Sequence, residues 1–197
     1  EYRWLDLKKM PIWIHCKGYL VRDDNMKPLY MIGCVNEIGK RQKADNVSGL
    51  LGESGFREYM NQLDTPLETG YLLRIGIDHF KEINDNFGQE YGDFVLKKTA
   101  ECISGCTSEG QKVYKLVADE FLILDVASDE AKDADKLYDK VREAIDRFIE
   151  TNEFKVMYTV SGGIVPFAAL KGNQCSEALK LTDFALNEAK KLGRNRC

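Results

Sequence analysis

The chain has 197 residues, 44% of them apolar, with 28 Lys and Arg against 32 Asp and Glu and a formal charge of −4. A balance this close to neutral excludes a global basic field that gathers nucleic acid or anionic membrane, so any phosphate site has to be local. No apolar run reaches the length of a membrane span and no secretory leader is recognisable, while the length fits one full domain and part of another.

Residues 1–38 read as strands. Ile12, Ile14 and Cys16 alternate with Trp13, His15 and Lys17, a period of two, and Leu29–Val35 behaves similarly. Between them Arg22–Pro28 is rich in turn formers, which predicts a hairpin, with a further strand near Tyr2–Leu7. So short a β segment cannot bury a core of its own and must pack on something else. Because the chain starts at Glu1 rather than Met, it is expected to be a piece of a longer protein. Residues 39–48 are polar and read as a linker, and 49–197 as one compact domain.

Within that domain Glu53–Leu63 predicts a helix and Tyr71–Ile77 a strand, with Asp78 placed to cap the helix that follows. Helices are expected over 79–86 and 91–103, separated by Gly88. Lys112–Val117 and Phe121–Val126 are strands joined by Ala118-Asp119-Glu120. Residues 130–150 form the clearest amphipathic helix, with Ala134, Leu137, Val141, Ile145 and Phe148 at spacings of three and four. Residues 155–165 read as a strand, and Ser176 as the cap of a last helix that ends at Gly193. This order of elements predicts an α/β (α+β) sandwich, with helices packed on a sheet.

Two features carry chemistry. Asp119 and Glu120 are adjacent carboxylates between apolar runs, costly unless exposed at a turn or holding a cation. Lys190 and Arg194 are four apart near a helix end, where basic residues are favoured by the helix dipole and also share a side. The six cysteines follow no ligand spacing and the two histidines, His15 and His79, are isolated; free thiols in a reducing cytoplasm are the expectation.

Five ordered motifs give the sequence a family likeness. The stretches DNVSGLLGESGF (45–56), GIDHFKEINDNFGQEYGD (76–93), VADEF (117–121), TVSGGIV (159–165) and LTDFALNEAKKLGRNR (181–196) resemble the signature segments of the GGDEF domain, the diguanylate cyclase family. The resemblance implies a nucleotide-cyclase, palm-like fold with a βααββαβ core. It also implies an activity that joins two GTP molecules into cyclic di-GMP with Mg2+. Residues 2–38, through YRWL and KPLYMIGCVNEI, resemble the C-terminal strands of a PAS sensor domain.

Carried over residue by residue, the resemblance assigns guanine recognition to Asn84 and Asp93. A carboxylate suits the N1–H and N2–H edge of the base, and an amide can donate to its acceptors. Helix capping is the alternative for both residues. It assigns phosphate contacts to Lys81, Lys190 and Arg194, metal binding to Asp119, and the following catalytic-region acid to Glu120. The departures are as telling. Gly76 stands where the family has a metal-ligating aspartate, and Val117 and Ala118 replace the two glycines of the naming motif. Lys115 replaces an Arg, Gln89 a His and Asn187 a Tyr. Gly52, Glu53 and Ser54 depart from the entry motif, and SEGQ (108–111) leaves out the RxxD of product inhibition. A β-branched Val dislikes positive φ and would crowd the substrate. A degenerate, regulatory GGDEF domain is therefore expected, binding GTP or a related nucleotide and acting on an adjacent EAL phosphodiesterase domain, other signalling domains or a second copy in a homodimer. The alternative is an active diguanylate cyclase.

Overall fold

The computed structural model of the protein describes residues 2–5, 11–38, 44–63, 67–128, 132–151, 154, 156–170 and 174–197; for 2–5, 11–15 and 34–38 it describes the backbone. The chain divides into two compact units, Glu1–Ala44 and Asp45–Cys197.

In the first unit, β1 (Tyr2–Leu5), β2 (Pro11–Arg22) and β3 (Pro28–Ile38) form an antiparallel sheet in that order. The β2–β3 turn is held by Asp23, whose Oδ1 accepts from the backbone N–H of Asn25 (2.9 Å) and Lys27 (2.8 Å). This is the local side-chain bonding that favours Asp in turns. The expected first strand reached Leu7; residues 6 and 7 lie outside the described residues, as does the first half of the predicted linker, 39–43.

The second unit runs β4 (Leu51–Gly52), α1 (Glu53–Asn61), β5 (Tyr71–Ile77), α2 (Phe80–Phe87), α3 (Gln89–Cys106), β6 (Gln111–Lys115), β7 (Glu120–Asp125), α4 (Lys132–Thr151), β8 (Val160–Pro166), a 3-10 turn (Phe167–Ala169) and α5 (Gln174–Lys191). The sheet order is β4-β6-β7-β5-β8, with β5 antiparallel to both neighbours. Leaving aside the two-residue β4, the run from β5 to β8 is the βααββαβ order that the resemblance implies.

Strand β5 reads apolar because helices cover both of its faces. Tyr71, Leu73, Ile75 and Ile77 pack with Val95, Ala100 and Ile103 of α3 and Val141 and Ile145 of α4. Leu72, on the other face, joins Phe56 and Met60 of α1 and Ala178 of α5. Alternation along a strand puts Arg74 and Gly76 on that second face, beneath α5.

Three expectations are corrected. The last strand starts at Val160, not 155, because its partner β5 ends at Ile77, which pairs with Val160. Phe154 and Tyr158 before it join an aromatic cluster instead: Phe154 lies 5.3–6.3 Å from the rings of Tyr91, Phe94, Phe148 and Tyr158. Ser176 does not cap α5, which begins at Gln174; the Gln174 amide is bonded both ways to the Leu67 backbone (2.9 and 3.0 Å). Asp78 does not cap α2 either. The N-cap position is His79, with φ +56°, and no side chain caps the helix. The expected C-terminal signal holds: Gly193 has φ +116° and the Arg194 N–H bonds Ala189 O (3.1 Å), closing a Schellman motif.

Candidate functional site

The turn between β6 and β7 carries the acid pair. Leu116 N–H bonds Glu120 O (2.8 Å) and Glu120 N–H bonds Val117 O (3.3 Å), folding 116–120 into a tight loop. The left-handed residue in it is Ala118 (φ +55°), not Val117, whose side chain is 73% exposed. The expected backbone strain on the β-branched residue is therefore corrected: the left-handed conformation falls on the alanine. Lys115 braces the loop from beneath. Its buried ammonium donates to Leu116 O (2.9 Å) and Ala118 O and lies 5.2 Å from the Phe121 ring centre. Burial lowers its pKa, and the carboxylates of Asp45, Asp119 and Glu120 oppose that shift. Here the replacement of Arg by Lys supplies a point donor to two carbonyls rather than a fork.

Glu120 is tied to the sheet. Arg74 Nε donates to Glu120 Oε2 at 2.7 Å and Nη2 pairs with the same oxygen, while Nη1 donates to Leu179 O at 3.1 Å. Arg74 and Glu120 are 12% and 19% exposed. Asp119 is 18% exposed and has Lys190 Nζ at 3.7 Å, an ion pair too long for a hydrogen bond. Both acids thus already face protein cations.

Lys190 reaches this place because α5 lies directly on the sheet. A Cβ at Gly163 of β8 would sit 2.4 Å from the Leu186 backbone N, so only a glycine permits that approach. One turn further along, Lys190 enters the notch over Gly76. A Cβ there would meet Lys190 Nζ at 2.9 Å and Leu186 Cδ2 at 3.1 Å.

Asp78, two residues beyond Gly76, is buried and fully employed. It accepts from Thr159 Oγ1 (2.6 Å), Ser161 Oγ (2.7 Å) and the Asn195 backbone N–H (3.2 Å). Those bonds, with Gly162 N–H to Arg196 O (2.8 Å), fasten the tail bearing Arg194 to the edge of β8. Arg194 and Asn195 are themselves left-handed, at φ +62° and +47°.

At the α2–α3 corner Asn84 lies against Gly92, the residue before Asp93. Asn84 Oδ1 is buried without a hydrogen-bond partner and lies 1.8 Å from where a Cβ on Gly92 would stand. Lys81 is exposed on α2. The structure so groups Gly76, Asp119 and Lys190 at one point, and Asn84 beside Gly92-Asp93 at another. A separate cavity of about 280 Å3 is lined by Asp78, Glu82 and Asp146, among others, and by none of the predicted site residues. Three carboxylates make it a poor phosphate site.

The family model "Diguanylate cyclase, GGDEF domain" matches residues 43–196. The chain belongs to the GGDEF family. The diguanylate cyclase VdcA of Vibrio cholerae serotype O1 is 26% identical over 92% of this chain and 55% of its own length. The cyclic di-GMP phosphodiesterase NbdA of Pseudomonas aeruginosa is 30% identical over 77% of this chain and 20% of its own. A solved structure comprising only the GGDEF domain of PA1120 (TpbB or YfiN) from Pseudomonas aeruginosa superposes with a TM-score of 0.65 at 25% identity, covering 78% of this chain and 91% of that one. The chain spans about half, or less, of the length of these two curated relatives.

The residues of this GGDEF domain do not fit the Mg2+ that the resemblance implies. Magnesium takes oxygen ligands in a near-octahedral shell, commonly one or two carboxylates with substrate phosphates. Gly76 has no side-chain oxygen, Glu120 is occupied by Arg74, and Asp119 faces an ammonium. Among the described residues no three His, Cys, Asp or Glu side chains converge on a metal-sized space.

Three positions that shape the site were missed or misassigned in the sequence. Arg74 had a signal, being the lone charge inside the apolar strand YLLRIGI. Gly92, which makes room for Asn84, and Asp78, which holds the tail, had none that local pattern could resolve.

Proposed function

We propose that residues 45–197 are a degenerate GGDEF domain. In this reading they bind a guanine nucleotide and regulate a partner, and they do not make cyclic di-GMP. The observation that carries the reading is the notch at Gly76, filled by the Lys190 ammonium beside Asp119. A cyclase must activate a ribose hydroxyl and stabilise phosphoryl charge, and losing a metal ligand costs on the order of a hundredfold or more in rate. Recognition of the base rests on Asn84 and Asp93. Lys81, Lys190 and Arg194 supply cations for the phosphates, and Asp119 and Glu120 persist as structural acids.

The partner is a neighbouring domain of the same protein, such as an EAL phosphodiesterase, or a second copy. The similarity to NbdA, a cyclic di-GMP phosphodiesterase of which the match covers a fifth, supports the first. Residues 2–38 are read as PAS-like strands feeding a signal to the domain, in the cytoplasm. Among the described residues no helix is long and apolar enough to cross a membrane.

The test is incubation of the purified chain with GTP and Mg2+, with product followed by chromatography. No cyclic di-GMP is expected; clear turnover overturns the proposal in favour of an active cyclase. Calorimetry with GTP should show binding that Asn84→Ala and Asp93→Ala each weaken about tenfold or more, the ~1.4 kcal/mol that one good polar contact supplies. Unchanged affinity would remove the guanine assignment.

A further inference from the structure

We propose that Lys190 is a resident monovalent cation standing in for a divalent metal, so that this site takes the phosphates of a guanine nucleotide without Mg2+. The inference rests on the nucleotide-binding reading above and adds how the charge is balanced.

The argument begins with space. Position 76 lies on β5 beneath α5, and the ammonium of Lys190 comes within 2.9 Å of where its Cβ would be. An aspartate at 76 would make the flexible end of Lys190 shift from its present place, whereas glycine leaves that place open to the ammonium.

Charge gives the second step. Two carboxylates call for a divalent ion to reach local neutrality. With the acid at 76 gone, the charge of Asp119 is balanced by the Lys190 ammonium at 3.7 Å and, beneath the turn, by the buried Lys115 ammonium on which it also acts. Lys190 and Asp119 are 23% and 18% exposed, a setting where such a pair is only partly screened. Glu120 is held separately by Arg74.

Donors give the third. At 3.7 Å the Lys190–Asp119 contact is Coulombic and spends no N–H. An ammonium has three donors, so those of Lys190 remain available to phosphate oxygens. A metal ion entering here would have to displace the ammonium and bind a single free carboxylate.

The experiment is calorimetric titration of the full chain with GTP in two buffers, one with Mg2+ and one with EDTA, alongside a titration with Mn2+ alone. Affinities within about twofold in the two GTP buffers, and no saturable Mn2+ binding at micromolar concentrations, are expected. Lys190→Met should weaken GTP binding in both buffers. Gly76→Asp/Lys190→Met, checked for folding by circular dichroism, should gain Mn2+ binding. Loss of GTP binding in EDTA alone overturns this inference and leaves the nucleotide-binding reading standing. Absence of GTP binding in both buffers overturns that reading and this inference's nucleotide claim. Micromolar Mn2+ binding by the unaltered chain overturns the metal replacement in any case.

Discussion

Replacing Arg74 by Met asks whether Glu120 is a reactive acid or a structural one. Methionine keeps most of the apolar stem and removes every donor. Glu120 would lose both nitrogens that now serve its Oε2, in a place where it is 19% exposed. Breaking a fully buried pair by deleting one partner costs about 3–5 kcal/mol, and the residual hydration here reduces that to about 2–3. Losing the bond from Nη1 to Leu179 O adds about 1 kcal/mol. Asp183, 3.1 Å from Nη2, is half exposed, and its loss is worth at most about 0.5 kcal/mol. The sum is a destabilisation of roughly 3–4 kcal/mol. In Arg74→Met/Glu120→Gln no uncompensated charge remains, so about 1–2 kcal/mol should return despite the second substitution. Urea unfolding followed by far-UV circular dichroism measures both variants. A loss under 1 kcal/mol in the single variant, or a double variant no more stable than it, would refute the structural role.

Other predictions address the scaffold around the site. Asp78→Ala should cost about 2–4 kcal/mol, because it leaves the Thr159 and Ser161 hydroxyls without an acceptor. Amide exchange at Asn195 should quicken with it, and unchanged exchange would mean that the tail is held otherwise. Ala118→Gly should raise stability by about 0.5–1 kcal/mol, the relief of a left-handed alanine less the entropy that glycine adds to the unfolded chain; a lower unfolding midpoint contradicts this. Cys197 is exposed as a residue, but its sulfur packs against Gly162 of β8, and desolvation of the thiol, with Asp135 and Asp139 adding, pushes its pKa up to about 12. Since the thiolate is the reactive form, iodoacetamide at pH 8 should label Cys197 far more slowly in the folded than in the unfolded chain. The sign for stability follows from the raised value: the contribution is complete below the ordinary thiol range near 9 and is lost as pH rises towards 12. Cys197→Ser should flatten the alkaline fall in stability, and an unchanged slope refutes the assignment.

Periodicity made most of the second unit legible. The apolar runs of β5 and β7 and the stripe of α4 report burial directly, and burial is what the sheet and its two helical layers share. The failures were of another kind. Phe154, Val156 and Tyr158 alternate as in a strand, yet Phe154 and Tyr158 join an aromatic cluster, and the end of β5 at Ile77 decides where the sheet pairing stops. Asp78 sits where a cap is favoured by type. Two hydroxyls from a strand about eighty residues later offered it better geometry, and no local rule weighs that competition.

The site was legible as a set of positions and illegible as a set of pairings. Motif comparison could say that Gly76 lacks an oxygen and that Lys190 keeps its place. It could not say that the first fact admits the second, because residues far apart in sequence meet only after α5 settles on Gly163. The same holds for the acid pair. Read along the chain, Asp119 and Glu120 look equivalent. In the fold one is locked by an arginine from the neighbouring strand and the other is loosely balanced by a lysine from the last helix. That asymmetry leaves Glu120 fixed by the sheet and Asp119 with Lys190 as the more loosely held pair.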